Sequence, residues 1–412
     1  MNSSNVSQAA APGVPADVAA AAKVHLQRRP RGPLLAALAL VAASALSLFP
    51  PSIEWDGLNV LSVAATAYLG WRLVQSRARP WVKSLVFLLL LGTAVEFSLR
   101  VFSYQRALIY ERQGNLLFTP TPNQTYIEKV SLSASRIDER GMRAPSAFVE
   151  GRTTILALGD SITYGYGIAD QDTWPAQLAA ALERAHPGRF NILNGGVNAY
   201  PMTFIHQKFL YHWNRGLRPD VVIVGYSMNE GWLGHLVEAD EAVKAQFESR
   251  VVLKNVLRSS ALYNLIVENW ARRTYEALRY KLVPGTNSTT ISSTDLRDLY
   301  DQYLDRFVAD LRARNVKPVF LLFAALNGET FRYDTLGPFQ KRFAAFAESH
   351  GIPLLRTDDV FRDALGGDPN LTPFFFDPGH MTERGNLVLA RKLAEWLPPR
   401  IAGSSDIESE GQ

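Results

Sequence analysis

The sequence predicts an α/β domain built on a parallel sheet with helices on both faces, preceded by a membrane region. Two observations carry this reading. From about residue 150, short apolar runs alternate with amphipathic stretches of helical length, the pattern of strands buried on both faces and the helices that cover them. Before residue 104, three uncharged runs rich in Leu, Ala, Val and Phe stand between clusters of charge. At 412 residues the chain exceeds one ordinary core, so two structural regions are expected. The net charge of +4 does not point to nucleic acid, because many basic residues flank the apolar runs and none form a block interleaved with aromatics. There is no cysteine, which excludes disulfides, thiolate metal sites and cysteine nucleophiles.

Taken in order, residues 1–32 are rich in Ala, Ser and Pro, end in Arg28, Arg29 and Arg31, and lack periodicity. They read as a disordered tail with a positive stop. Residues 33–103 form the membrane region, with about three transmembrane helices. Gly32 to Ile53 supplies 22 residues without a charge, enough for one crossing at about 20 residues per span. Ala43-Ser44-Ala45 resembles a signal-peptide cleavage site, but the long leader and the further apolar runs argue against that alternative. Gly57 to Trp71 gives 15 uncharged residues, extended by snorkelling of Arg72. Ser84 to Val95 gives 12, a length that also fits a buried or interfacial helix. The first connection carries Glu54 and Asp56, and the second carries Arg72, Arg77, Arg79 and Lys83. Basic connections stay cytoplasmic, so three crossings place the remainder of the chain outside the inner membrane of a bacterium, and two place it inside.

Residues 104–149 read as a linker or lead-in, 150–400 as the α/β domain, and 401–412 as a disordered tail. Strands are expected at Thr153 to Leu158, Phe190 to Leu193, Asp220 to Val224, Pro318 to Phe323 and Ile352 to Leu355. Helices are expected at Trp174 to His186, Leu296 to Asn315, Gly337 to His350 and Thr382 to Trp396. The stretch 232–294 breaks the rhythm and reads as a partly helical insertion with a polar loop from Gly285 to Ser293.

Chemistry-bearing residues gather where these strands end. Gly159-Asp160-Ser161 follows the first strand, and in a parallel sheet that is where sites form. Ser161 alone could equally be an N-cap or part of a phosphate-binding turn. Asp377-Pro378-Gly379-His380 sits in a turn before the last helix. A hydroxyl becomes a nucleophile through a base, and the base is oriented by an anion; Asp and His three apart on one tight loop can both face a single serine. Of the other six histidines, His25 lies in the tail, His186 and His350 lie at exposed-looking helix ends, and His206, His212 and His235 sit in helical or inserted stretches without an adjacent acid. Asn194-Gly195-Gly196 and Ser227-Met228-Asn229-Glu230 follow the second and third strands, offering a glycine N–H and a side-chain amide as donors to an oxyanion.

These four blocks, in this order, resemble the GDSL or SGNH hydrolase family over about residues 150–400. The resemblance implies a flavodoxin-like three-layer α/β/α fold and an acyl-enzyme formed on Ser161, with His380 as base and Asp377 orienting it. It also implies an oxyanion hole from Ser161 N–H, Gly196 N–H and the Asn229 side chain, without metal or cofactor. Ser227 stands where the family usually has Gly, and Glu230 where it has Asp. Upstream, Asp138-Glu139-Arg140-Gly141-Met142-Arg143 looks like the Asn-x-x-Gly-Phe-Arg lead-in of membrane-anchored members. Those are often associated with bacterial surface polysaccharide. The expected activity is therefore removal of acetyl or another short acyl group from a small ester or an acylated glycan. O-acyl transfer by the same residues, or an idle glycan-binding or scaffold component of a polysaccharide synthesis or export system, are the alternatives.

Overall fold

The computed structural model describes residues 79–102, 107–271 and 293–401, apart from positions 129, 144–147, 228, 230–235, 237–238, 259, 324–325, 327–335 and 369, together with isolated residues 68, 70, 72 and 75. The chain divides into two compact units, Met1–Phe102 and Ser103–Gln412. In the first, α1 (Pro80–Phe102) contains the third apolar run. No helix among the described residues is long and apolar enough to cross a membrane. The first run, the second apart from Tyr68 and Gly70, residues 1–32 and 402–412, and the loop from Gly285 as far as residue 292 lie outside the described residues.

The second unit is organised around five parallel strands, β5 (Thr153–Leu158), β6 (Phe190–Asn194), β7 (Val221–Tyr226), β8 (Lys317–Leu322) and β9 (Leu354–Arg356), in the order β6-β5-β7-β8-β9. Counted from β5, this is the 2-1-3-4-5 order of flavodoxin-like sheets, with its switch point between the first and third strands. Every residue of β7 and all but the first of β5 are buried. Their side chains alternate, as strand geometry requires. Leu156, Leu158, Val222 and Val224 enter a core with α4 (Met202–Asn214), α6 (Ser293–Ala313) and α7 (Pro338–Ser349). Ile155, Ala157, Ile223 and Leu321 enter another with α3 (Trp174–Ala185), α8 (Thr357–Ala364) and α9 (Glu383–Trp396). The expected strands and helices are thus present, with ends displaced by a few residues.

The stretch 104–149 contributes two hairpins to this unit. β1 (Tyr110–Gln113) pairs antiparallel with β2 (Leu116–Pro120), and β3 (Gln124–Ile127) with β4 (Ala134–Ile137). Bridges from Ile137 to Arg143 and from Arg143 to Asn194 tie the second hairpin to the end of β6. Leu116, Leu117 and Phe118 are buried in the same core as α4. The insertion holds α5 (Glu241–Arg258), a short turn and a π-helical stretch, Asn264–Ala271.

Candidate active site

After β5 the chain turns at Gly159 and Asp160 into the one-turn helix α2 (Ser161–Tyr164). A Cβ on Gly159 would lie 2.2 Å from Thr163 Oγ1 and 2.6 Å from the Gly225 carbonyl, so only glycine lets the helix start this close to β7. Asp160 is the N-cap, its Oδ1 accepting the Ile162 N–H at 2.9 Å. Its Oδ2 accepts from the Asn229 amide at 2.9 Å and from the Ser227 hydroxyl. This buried carboxylate therefore fastens the Ser161 turn to the end of β7. Burial pushes its pKa up, against the opposing pull of the Ser227 hydroxyl, the Ile162 N–H and the nearby His380. The serine at 227, where the family usually has glycine, thus has a physical role as a donor to Asp160.

The turn before α9 brings its two residues to the same place. His380 Nε2 lies 2.9 Å from Ser161 Oγ, and His380 Nδ1 lies 2.9 and 2.8 Å from the two oxygens of Asp377. Asp377 Oδ1 also accepts the N–H groups of Gly379 and His380, both at 2.8 Å. Burial opposes charge on Asp377, yet the hydrogen bond and charge of His380 and these two N–H donors outweigh it and hold the carboxyl below its ordinary value. The imidazole is flanked by the Tyr166 ring, 4.7 Å between centroids, and the Phe376 ring at 5.9 Å. A hydroxyl bonded to one imidazole nitrogen, with a carboxylate on the other, can lose its proton as it attacks a carbonyl.

The three expected oxyanion donors are placed unequally. Ser161 N–H belongs to the first residue of α2, where no intrahelical acceptor exists. Asn229 spends one amide hydrogen on Asp160 and has a second. Gly196 N–H instead donates to Asn194 Oδ1 at 3.1 Å. Ser161, Asn229, Asp377 and His380 line one cavity of about 670 Å³. Gly196 does not line it; a Cβ there would sit 2.3 Å from the Tyr164 nitrogen, so this glycine sets how closely β6 approaches α2. Among the described residues, no group of three His, Asp or Glu side chains is arranged to hold a metal.

Several contributors escape a reading by motif. Arg143, fully buried, donates to Asp170 at 2.9 Å, to Ser135 and the Tyr164 carbonyl at 3.1 Å each, and to the carbonyls of Gly165 and Ile168. The lead-in motif therefore braces the loop that follows α2, while Asp138 Oδ1 closes the motif's own turn by accepting from Arg140 and Met142. His206, expected to be a surface or core histidine, is buried in the core. Its acid partner there is Asp310 at 2.7 Å, supplied by α6 across 104 positions of sequence. Burial lowers its pKa against the opposing pull of Asp310, and it packs between α4 and α6 in the core rather than in the cavity.

A flavodoxin-type sheet with a hydrogen-bonded Ser-His-Asp set at its strand ends is the architecture of a serine ester hydrolase. Residues 157–388 match the GDSL-like lipase/acylhydrolase family, and the chain belongs to that family. Similar solved structures include an alpha/beta hydrolase enzyme from the metagenome of Lake Arreo, Spain, at 19% identity, covering 60% of this chain and 95% of that one, TM-score 0.35. The acetyl xylan esterase AlAXEase is 13% identical over 59% of this chain and 99% of that one, TM-score 0.37. An acetylxylan esterase from Geobacillus stearothermophilus is 14% identical over 61% and 97%, TM-score 0.33. No curated protein matches the sequence.

Proposed function

We propose that this serine ester hydrolase is a membrane-anchored carbohydrate esterase that removes acetyl or a similarly short acyl group through an acyl-enzyme on Ser161. The observation that carries the reading is the position of His380, within hydrogen-bond distance of Ser161 Oγ on one side and Asp377 on the other. Ser161 Oγ attacks the ester carbonyl, and its proton passes to His380 Nε2. The tetrahedral oxygen draws on Ser161 N–H and the second Asn229 hydrogen, and on Gly196 N–H once it leaves Asn194. His380 then protonates the departing alcohol; in the second half it takes a proton from a water that adds to the acyl carbon, and returns that proton to Ser161 Oγ as the acid leaves. Asp377 keeps the imidazole oriented and stabilises its charged form.

Support for the glycan comes from the Asp138 to Arg143 lead-in, similar to that of membrane-anchored members. Support for anchoring comes from the uncharged runs at 32–53 and 57–71 and from the exposed Trp81, Leu85, Phe87 and Leu88 on α1. With three crossings the basic stretch from Arg72 to Lys83 is held inside and the catalytic unit outside; with two the unit stays inside. An alkaline phosphatase fusion after residue 105 tests the side: it is active for an outward domain, and fluorescence of a cytoplasmic reporter there overturns the orientation. For the chemistry, full-length protein in detergent is assayed with acetylated sugars and labelled with a fluorophosphonate. Ser161→Ala is expected to lose the label and several orders of magnitude of turnover. Turnover within a few-fold of the parent would reject the mechanism.

A further inference from the structure

We propose that the wall contributed by α5 is an anion-binding subsite, so that the ester this enzyme cleaves carries a carboxylate or phosphate on its alcohol side. The inference rests on the esterase reading above and narrows its substrate. The charges of α5 are sorted by face. Its acids turn to the β1–β2 hairpin: Glu241 and Glu248 each accept from Arg112 at 3.1 Å, and Glu241 also pairs with Lys244 at 3.1 Å. None of Arg112, Glu241, Lys244 or Glu248 lines the cavity. Its remaining bases, Arg250, Lys254 and Arg258, recur every four residues, the spacing of one helical stripe, and all three line the cavity that holds Ser161 and His380.

The cavity lining includes two carboxylates, Asp377 and Glu128. Asp377 is engaged with His380. Glu128 is 4% exposed and lies 3.9 Å from the guanidinium of Arg143. Among the described residues of the lining, α5 thus contributes three cations, of which Arg250 is exposed. Arginine forks match carboxylate and phosphate oxygens alike.

Size points the same way. A cavity of about 670 Å³ is in the range of sites that enclose whole small molecules, far more than a short acyl group fills. With the acyl carbon at Ser161, the alcohol portion occupies the rest and meets the basic stripe.

The test uses full-length protein in detergent and matched O-acetyl substrates. These are a uronic acid and its neutral methyl ester, and a sugar phosphate and the parent sugar, with 4-nitrophenyl acetate as a small neutral reference. Within each protein the readout is the ratio of kcat/KM for the charged over the neutral partner. The parent is expected to favour at least one anion by about tenfold, the scale of one hydrogen bond to a charged group, and the preference should shrink as salt rises. Arg250, on the exposed side of α5, is the residue to vary: Arg250→Gln should lower the ratio, Arg250→Lys should retain most of it, and Arg250→Glu should invert it. Comparing the uronate and phosphate arms identifies the anion. A ratio near one in the parent, or the same ratio in the parent and Arg250→Glu, overturns the subsite. If turnover remains Ser161-dependent but blind to charge, only the subsite fails; if 4-nitrophenyl acetate is cleaved independently of Ser161, the esterase mechanism fails and the subsite with it.

Discussion

Arg143→Met is the substitution that most directly probes how the hairpins support the site. Methionine keeps much of the aliphatic stem and removes a guanidinium that serves five acceptors: Asp170, Ser135 and the carbonyls of Tyr164, Gly165 and Ile168. A stranded buried acceptor costs about 1–3 kcal/mol. Taking one partner from a buried ion pair costs about 3–5 kcal/mol. Asp170 is 20% exposed and recovers some hydration, so the losses do not add in full. A net loss of about 4 kcal/mol is expected, which for a unit of this size lowers Tm by roughly 6 °C. The released segment carries Tyr166, which packs on His380, so kcat should fall as well. Arg143→Lys keeps the charge without the fork and should land between the two. Thermal unfolding of the detergent-solubilised chain, with ester turnover measured well below Tm, reads both effects. A Tm within about 2 °C of the parent would refute the brace.

Two further outcomes follow from the geometry. Asn229→Ala should reduce kcat by about 100- to 1000-fold with KM little changed, the usual effect of losing one oxyanion donor, and a change in KM alone would make Asn229 a binding residue. Lys208 is fully buried against Thr119, and burial brings its pKa down to about 7, with Asp138 and Glu111 opposing. Unfolded, it stays protonated up to about 10.4, so the cost of burying it is fully present below pH 7 and fades as pH rises from 7 towards 10. Lys208→Met should therefore raise Tm relative to the parent more at pH 6 than at pH 9, and a difference independent of pH would show that the ammonium carries no such cost.

The parallel sheet was legible because strands buried on both faces appear as unbroken apolar runs, Thr153 to Leu158 being the clearest. Ser161 could be picked out because it follows such a run, and Asp377 and His380 because they stand three apart in one turn before the last helix. The hairpins were not legible: Tyr110–Gln113 and Gln124–Ile127 are mostly polar strands with no apolar alternation to mark them. The Asp310 partner of His206 was not legible because that acid lies on another helix, and proximity in sequence cannot show a helix–helix contact. The role of Asp160 was not legible, because it comes from β5 and β7 being neighbours, which brings Ser227 and Asn229 to its second oxygen.

The hairpins also determine where the enzyme can be cut. Leu108, Tyr110, Phe118, Tyr126 and Glu128 all face the cavity, and Arg143 reaches across from the same segment. A fragment beginning at residue 150 would keep the complete Ser-His-Asp set and the whole parallel sheet. It would also open one side of the substrate chamber to water and leave the loop carrying Tyr166 unsupported. Such a fragment retains the hydrogen-bonded Ser-His-Asp set and the basic stripe of α5, and loses the wall of the chamber that the hairpins supply.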